Sequence, residues 1–140
     1  MIRNKFLFYL ISFTWGLPLT LAGCIVGVAL LVTGHKPQKW GHCYYFEVGN
    51  NWGGLEFGPI FLVNKNPSNY IRDHEAGHAI QNCWFGPLMP FIVCIPSAIR
   101  YWYRTMRNKM GKLCKTGYYD IWLEAQASKL GNDFINNTTK

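Results

Sequence analysis

The longest apolar stretch of the chain lies near its N-terminus. From Phe6 to Thr33, 28 consecutive residues carry no charged side chain. A helix of that length measures about 42 Å, which exceeds the roughly 30 Å of a bilayer's hydrocarbon core. A cleaved signal peptide is the alternative, but its apolar part is usually only about 7 to 15 residues long. The pattern therefore predicts a transmembrane anchor over residues 1–34 and a domain over residues 35–140.

Small residues line one face of this predicted transmembrane helix. Gly23 and Gly27 have the four-residue spacing at which two helices approach closely inside a membrane. Pro18 is expected to kink the helix. The spacing indicates a homo-oligomer contact through the Gly23/Gly27 face.

Two runs of aromatic and β-branched residues follow, over residues 41–48 and 55–63. The Asn/Gly-rich residues 50–54 separate them, which is typical of the turn of a β-hairpin. Gly58 and Pro59 indicate a bulge or an edge in the second strand. The exposed edge of such a hairpin suits pairing with an extended substrate chain; covering the next helix is its other use.

The segment after the hairpin is bounded by helix signals. Ser68 or Asn66 is suited to cap a helix that has Pro67 at its start, and Gly86 followed by Pro87 ends it. These signals predict a helix over about residues 68–85. The apolar residues 85–103 are interrupted by three prolines, which predicts a membrane-associated segment that spans, re-enters or lies on the bilayer.

Charge is concentrated directly after this proline-broken segment. The chain has a formal net charge of +7, and Tyr and Trp side chains lie among the clustered basic residues. This mixture favours anionic lipid headgroups over nucleic acid, so we expect a lipid bilayer and no nucleic acid as a partner. The positive-inside rule then predicts a cytoplasmic active site. The basic cluster comprises Arg100, Arg104, Arg107, Lys109, Lys112 and Lys115.

Metal chemistry is indicated by the motif H-E-x-x-H at His74, Glu75 and His78. Residues four apart lie on the same face of a helix, so both histidines can present a ring nitrogen to one zinc ion. Glu75 lies about 100° round the helix, where it can hold a water without being a ligand. Zinc lowers the pKa of such a water to about 7, and a carboxylate beside it can act as general base and then general acid. The motif therefore predicts a zinc-dependent peptidase.

A hydrolytic zinc site usually has three protein ligands and one open position. The predicted helix over about residues 118–130 contains Asp120 and Glu124, and Gly131 is suited to end it. Glu124 is favoured as the third ligand, because Ala127 and Ser128 on its face would let the two helices approach. Asp120, His35 and His42 are the alternatives.

Together these residues resemble the gluzincin-type zinc metallopeptidases, which combine H-E-x-x-H with a Glu from a later helix. The segment from Glu124 to Gly131 is similar to the E-x-x-A-D segment of membrane metallopeptidases of the HtpX type, with Ser128 where that family has Asp. The resemblance implies an α+β membrane protein with His74, His78 and Glu124 on zinc and Glu75 as the catalytic base.

The expected function is a membrane-bound zinc-dependent endopeptidase that acts on peptide or protein substrates. Tyr118, Tyr119 or His42 is the candidate for stabilising the oxyanion. One alternative is a non-catalytic membrane scaffold with a structural metal site. The other is an intramembrane protease of the site-2 type, which the polar residues Arg72, Asp73 and Gln81 of the motif helix disfavour.

Overall fold

A computed structural model describes residues 2, 4–117 and 120–138, which form a mixed α+β fold. The N-terminal apolar stretch folds as two helices, α1 (Lys5–Ser12) and α2 (Leu17–Val32), which are bent by 96° at the break between them. The expectation of one continuous helix was therefore wrong. Pro18 lies in the first turn of α2, where its missing N–H costs nothing, and Gly16 leaves room for the side chain of Asn82. Phe8 of α1 is fully buried in the core.

Length and apolar composition determine whether a helix can cross a membrane. Within the described part of the chain, no single helix is long and apolar enough to cross a membrane. Two bent pairs satisfy both criteria together: α1 with α2, and the helical segments of residues 69–88 and 90–109, which meet at 114°.

Four strands form one sheet in the order β1, β2, β4, β3. Their bounds are Gln38–Trp40 for β1, Cys43–Glu47 for β2, Gly54–Phe57 for β3 and Ile60–Val63 for β4. The predicted hairpin with its turn at residues 50–54 is wrong, because β2 pairs with β4 in parallel. The antiparallel hairpins are instead β1–β2 and β3–β4, and Gly58 turns the second with φ of +68°.

The parallel pairing of β2 and β4 follows from burial. Alternate residues of both strands, Cys43 and Tyr45 in β2 and Phe61 and Val63 in β4, are buried in the same core cluster as residues of the helices. An antiparallel hairpin closed at residues 50–54 would give up this pairing. As a result β3 lies at the edge of the sheet, beside β4 only.

The motif helix, α3 (Asn69–Phe85), confirms the predicted helix over residues 68–85 almost to the residue. Ser68 is its N-cap and accepts a hydrogen bond from the backbone N–H of Ile71, and Gly86 ends it with φ of +52°. A 3₁₀ turn (Gly86–Leu88) and a π turn (Pro90–Cys94) lead into α4 (Ile95–Lys109). No residue of α4 is buried.

The last helix, α5 (Trp122–Thr138), begins later and runs longer than the helix predicted over residues 118–130. Gly131 is buried inside α5 instead of ending it, so that prediction was wrong. A Cβ at Gly131 would lie 2.5 Å from the carbonyl carbon of Asp73 in α3. The glycine is there because two helix backbones cross closely, not because a helix stops.

The glycine face proposed for oligomerisation lies inside the fold. Gly23 and Gly27 are buried, and a Cβ at Gly23 would lie 2.8 Å from Cβ of Phe57 in β3. Gly27 lies next to Ile60 and Phe46 of the sheet. This face of α2 is therefore covered by the sheet of its own chain.

Candidate metal centre

The centre is built on the buried face of α3. Every residue from His74 to Cys83 is buried. His74, Glu75 and His78 keep the i, i+1, i+4 arrangement of the motif, so the two imidazole rings lie one turn apart with centroids separated by 4.6 Å.

Helix α5 brings a carboxylate to these histidines because it crosses α3 without intervening side chains. Gly77 lies between the two histidines, and a Cβ there would lie 2.6 Å from the carbonyl carbon of Ala127. Any residue larger than glycine would overlap the α5 backbone. The small residues that the sequence offered on both helices therefore do serve a close approach.

Three potential ligand atoms converge where the helices meet. Oε2 of Glu124 lies 3.0 Å from Nε2 of His74 and 3.6 Å from Nε2 of His78, and the two Nε2 atoms are 3.1 Å apart. Glu124 is 0% exposed. Among the described residues, these three side chains form a group whose ligand atoms all lie within 4.8 Å of one another, as in a site that could hold a metal ion.

The hydrogen-bond partner of Nδ1 decides which ring nitrogen of each neutral imidazole carries the hydrogen. Nδ1 of His78 lies 2.7 Å from Oε1 of Gln81, whose orientation is set because its amide nitrogen donates to the carbonyl of Leu123. An amide oxygen only accepts, so Nδ1 of His78 carries the hydrogen and Nε2 keeps a lone pair. Nδ1 of His74 lies 2.9 Å from Oγ of Ser128.

Ser128 gives His74 the same tautomer. The Ser128 hydroxyl donates its hydrogen to the backbone carbonyl of Glu124, 3.2 Å away, and so can accept one from Nδ1 of His74. The Ser128 hydroxyl therefore orients the ring of His74. Neither Ser128 nor Gln81 was predicted in this role; the i+3 spacing of Gln81 from His78 was the available signal.

The two imidazole lone pairs face a carboxylate oxygen. These three electron-rich atoms repel one another, so a cation between them is required. Within the described residues, Oε2 of Glu124 faces only these two ring nitrogens. Two His nitrogens and one carboxylate oxygen are donors that suit zinc. The residues therefore fit a metal ion, although its identity is not fixed by them.

A proton competes for the same place. Burial lowers the pKa of His78, but its hydrogen bond with Glu124 and the charges of Glu75, Glu124 and Glu56 outweigh burial and raise it to about 9. Burial acts to raise the pKa of Glu124, yet its hydrogen bonds with both histidines hold that pKa well below the usual range. A proton on His78 would therefore supply the positive charge when no metal is bound.

Ser97 of α4 supports the ligand carboxylate from its other side. Its hydroxyl donates to Oε1 of Glu124, which leaves Oε2 directed at the two histidines. The sequence gave no signal for this contact, because Ser97 lies in a different helix from all three potential ligands.

Glu75 lies beside the cluster without belonging to it. It is buried, and burial raises the pKa of its carboxyl group. Strand β3 passes directly over it: a Cβ at Gly54 would lie 2.6 Å from the carboxyl carbon of Glu75. The edge strand β3 and the carboxylate of Glu75 are therefore neighbours.

A second carboxyl group, Glu56 of β3, faces the same space and was missed by the sequence-based prediction. Burial raises its pKa to about 8. One of its oxygens accepts the backbone N–H of Gly58 in the β3–β4 turn. Glu56 and Gly54 are two residues apart and so face the same side of the edge strand, which was the available signal. It was not recognised because Gly54 was assigned to the predicted hairpin turn.

These groups open onto a cavity of about 670 Å³. Its polar end is formed by His74, Glu75, His78 and Glu56, and its remaining walls come from residues 52–55, from Met89 and the π turn, and from α4. A volume of this size suits a substrate, and the polar groups at one end would fix its orientation.

The other predicted site residues lie elsewhere. His42 packs with its ring centroid 5.3 Å from that of Phe134 and 6.1 Å from that of Phe8, and does not line the cavity. Asp120 is exposed and accepts the N–H of Gly117, and His35 lies 3.1 Å from the Thr33 hydroxyl. Tyr118 and Tyr119, the other oxyanion candidates, lie outside the described residues.

Comparison of the chain with protein-family models, curated proteins and solved structures gave no significant match. The interpretation of the centre therefore rests on its own geometry.

Proposed function

We propose that this protein is a membrane-associated, zinc-dependent endopeptidase. The observation that supports it most is the combination of two kinds of buried group in one cavity. Three ligand atoms from His74, His78 and Glu124 converge on one point, and the carboxylate of Glu75 lies beside them as a fourth, non-ligating group. A purely structural zinc site has no use for such a carboxylate or for the cavity next to it.

Zinc bound there would polarise the scissile carbonyl and lower the pKa of a water molecule. Glu75 accepts the proton of the attacking water and then transfers it to the leaving amine. Its pKa, raised by burial, favours both steps, because a general base that must return its proton works best when its pKa lies nearer neutrality. Ser128, Gln81 and Ser97 hold the ligand side chains in place.

Strand β3 would bind the substrate backbone. It is an edge strand, and Gly54 places its backbone directly against Glu75. An extended peptide that pairs with this edge would continue the sheet, so its backbone would run past the catalytic carboxylate. The predicted role of the edge in substrate pairing is therefore retained, on β3 instead of the predicted hairpin.

The bilayer is the proposed environment because large apolar side chains are exposed along both N-terminal helices. They recur at intervals along α2, where nothing else in the described structure covers them. The cytoplasmic side is proposed for the active site, since the basic residues of α4 lie beside its cavity. The exposed side chains of α1 and α2 include Phe6, Leu10, Leu21, Ile25, Val28 and Val32.

Purified full-length protein in detergent tests this function directly. Zinc content and cleavage of a mixed fluorogenic peptide library would be measured for the native chain and for Glu75→Gln, Glu124→Ala and Asp120→Ala. Glu75→Gln should keep zinc and lose hydrolysis by about 10²- to 10⁴-fold, because the proton carrier is removed and the ligands stay. Glu124→Ala should lose zinc, whereas Asp120→Ala, which removes an exposed carboxylate, should lose neither property.

Chelator-sensitive cleavage that persists in Glu75→Gln would contradict the catalytic role of this residue. Zinc retained by Glu124→Ala would contradict the ligand set. Stoichiometric zinc with no cleavage of any peptide by the native chain would favour the scaffold function over the peptidase.

A further inference from the structure

Helix α4 and the segment after it carry a uniformly positive surface. No acidic residue occurs between Glu75 and Asp120. Within the described part of the chain, no guanidinium group of α4 forms an ion pair with a carboxylate. The positive charge here is therefore not neutralised by the protein itself.

Part of this charge surrounds a second cavity, of about 320 Å³, between α4 and residues 114–116. Arg100, Arg104 and Arg107 line it at successive turns of the helix, and Lys115 and Thr116 close the opposite side. Side chains three and four residues apart lie on one face of a helix, so the three guanidinium groups point the same way.

Backbone carbonyls hold these arginines in place. Nη2 of Arg100 donates to the carbonyl of Gly117 at 2.6 Å, and Arg104 donates to the carbonyl of Thr116. Arg107 donates to the Tyr103 hydroxyl at 3.1 Å and to the carbonyl of Leu113 at 3.2 Å. The groups are thus fixed in position without losing their charge.

Two hydrogen-bond donors in this cluster have no acceptor. Nε of Arg100 and Nε of Arg107 are buried, and neither has a partner among the described residues. A buried, unsatisfied guanidinium donor costs free energy unless an acceptor is provided. Several fixed guanidinium groups around a small cavity suit a phosphate, which accepts through three or more oxygens.

We infer that this cavity binds the phosphate of an anionic phospholipid. Exposed apolar side chains at the cavity favour a lipid over a soluble phosphate. Tyr103, which lines the cavity, is 57% exposed, and Leu113, directly before the lining residue Cys114, is 89% exposed. A lipid headgroup in the cavity would place its acyl chains beside these side chains, and a free phosphate would leave them in water.

Arg104 also lines the catalytic cavity. A lipid bound at the arginine cluster would therefore hold the mouth of the catalytic cavity at the membrane surface. This inference does not depend on peptidase activity, because it concerns residues that contact neither Glu75 nor the metal ligands.

Full-length protein in a neutral detergent would be titrated with short-chain phosphatidylglycerol, with phosphatidylcholine of the same chain length, and with inorganic phosphate as a competitor. Phosphatidylglycerol should bind more tightly than phosphatidylcholine. The double variant Arg100→Gln, Arg107→Gln should weaken its binding by about 30-fold, at about 1 kcal/mol for each basic residue. Lys115→Gln changes an exposed side chain and leaves the contacts of the helix intact. It should weaken phosphatidylglycerol binding by about fivefold.

The matched control is Lys36→Gln, Lys65→Gln, which removes the same charge away from the cavity and should leave binding unchanged. Equal affinity for the two lipids would overturn the inference, as would equal losses in the arginine and lysine double variants. Inorganic phosphate that competes as well as phosphatidylglycerol would overturn the lipid assignment in favour of a soluble phosphate. An unchanged affinity in Lys115→Gln would contradict the inference even if the arginine variant did not fold.

Discussion

The contact between α3 and α5 can be tested by adding a single methyl group at Gly77. In Gly77→Ala the new Cβ would lie 2.6 Å from the carbonyl carbon of Ala127, whereas ordinary contact begins at 3.4 Å. The helices would have to move apart by roughly 1 Å to relieve the overlap. Ligand distances in a zinc site tolerate only about 0.2 Å. We therefore expect Gly77→Ala to weaken zinc binding at least by the roughly 10- to 100-fold typical of a disturbed supporting contact.

Stability should fall in the same variant. Overpacking of this kind costs about 1 to 3 kcal/mol, and the better helix propensity of alanine returns about 1 kcal/mol. Zinc affinity by chelator competition and thermal unfolding in detergent would measure the two effects. The control is Gly27→Ala, in which the new Cβ meets Ile60 at an ordinary 3.4 Å, so zinc affinity should not change.

If Gly77→Ala bound zinc and unfolded like the native chain, the helices would not be in contact as described. A loss of zinc affinity in Gly27→Ala equal to that in Gly77→Ala would show that the effect is not specific to the crossing point.

Three further outcomes are expected at the metal centre. Ser128→Ala should weaken zinc binding by about 10- to 100-fold, because His74 loses the acceptor that fixes its tautomer, and chelator competition would show it. Ser97→Ala should also weaken zinc binding while Ser97→Thr retains it, since only the hydroxyl on Glu124 matters; equal affinities in both variants would refute this role. Zinc must displace the proton of His78, whose pKa is about 9, so apparent affinity should rise about tenfold per pH unit below pH 9 and then level off. Calorimetric titration at several pH values tests this, and a flat profile between about pH 7 and pH 9 would contradict it.

Local signals predicted α3 well and the sheet poorly, for a physical reason. The N-cap at Ser68 and the helix break at Gly86 depend only on residues close in sequence. Helix α3 begins and ends at these two positions. The parallel pairing of β2 with β4 depends on burial against helices elsewhere in the chain, which turn residues do not report. Gly131 was predicted to end a helix from the same kind of local signal, whereas it lies inside α5 at the crossing with α3.

The convergence of His74, His78 and Glu124 was predicted, but the groups that support these three side chains were not. His74 and His78 are recognisable from spacing, and Glu124 from the small residues that follow it. Ser97 carries no pattern of its own, because it reaches the centre through a tertiary contact. Gln81 and Glu56 were marked only by their spacing from His78 and Gly54, and that spacing was not used in the prediction. A kink was expected at Pro18, but the bend of 96° lies before it, between Ser12 and Leu17, where contact with Asn82 and burial of Phe8 stabilise it.

The order of the ligands along the chain has a consequence for the protein during its synthesis. Glu124 follows His78 by 46 positions, so a ribosome that adds about 5 to 20 residues per second needs roughly 2 to 9 seconds between them. Throughout that interval the nascent chain offers only two histidines, which are too few to hold zinc in a hydrolytic site. The centre is completed only when α5 docks on Gly77. Under the proposed function, metal loading would therefore be among the last events of maturation, and a newly made chain would not cleave its neighbours before it had folded.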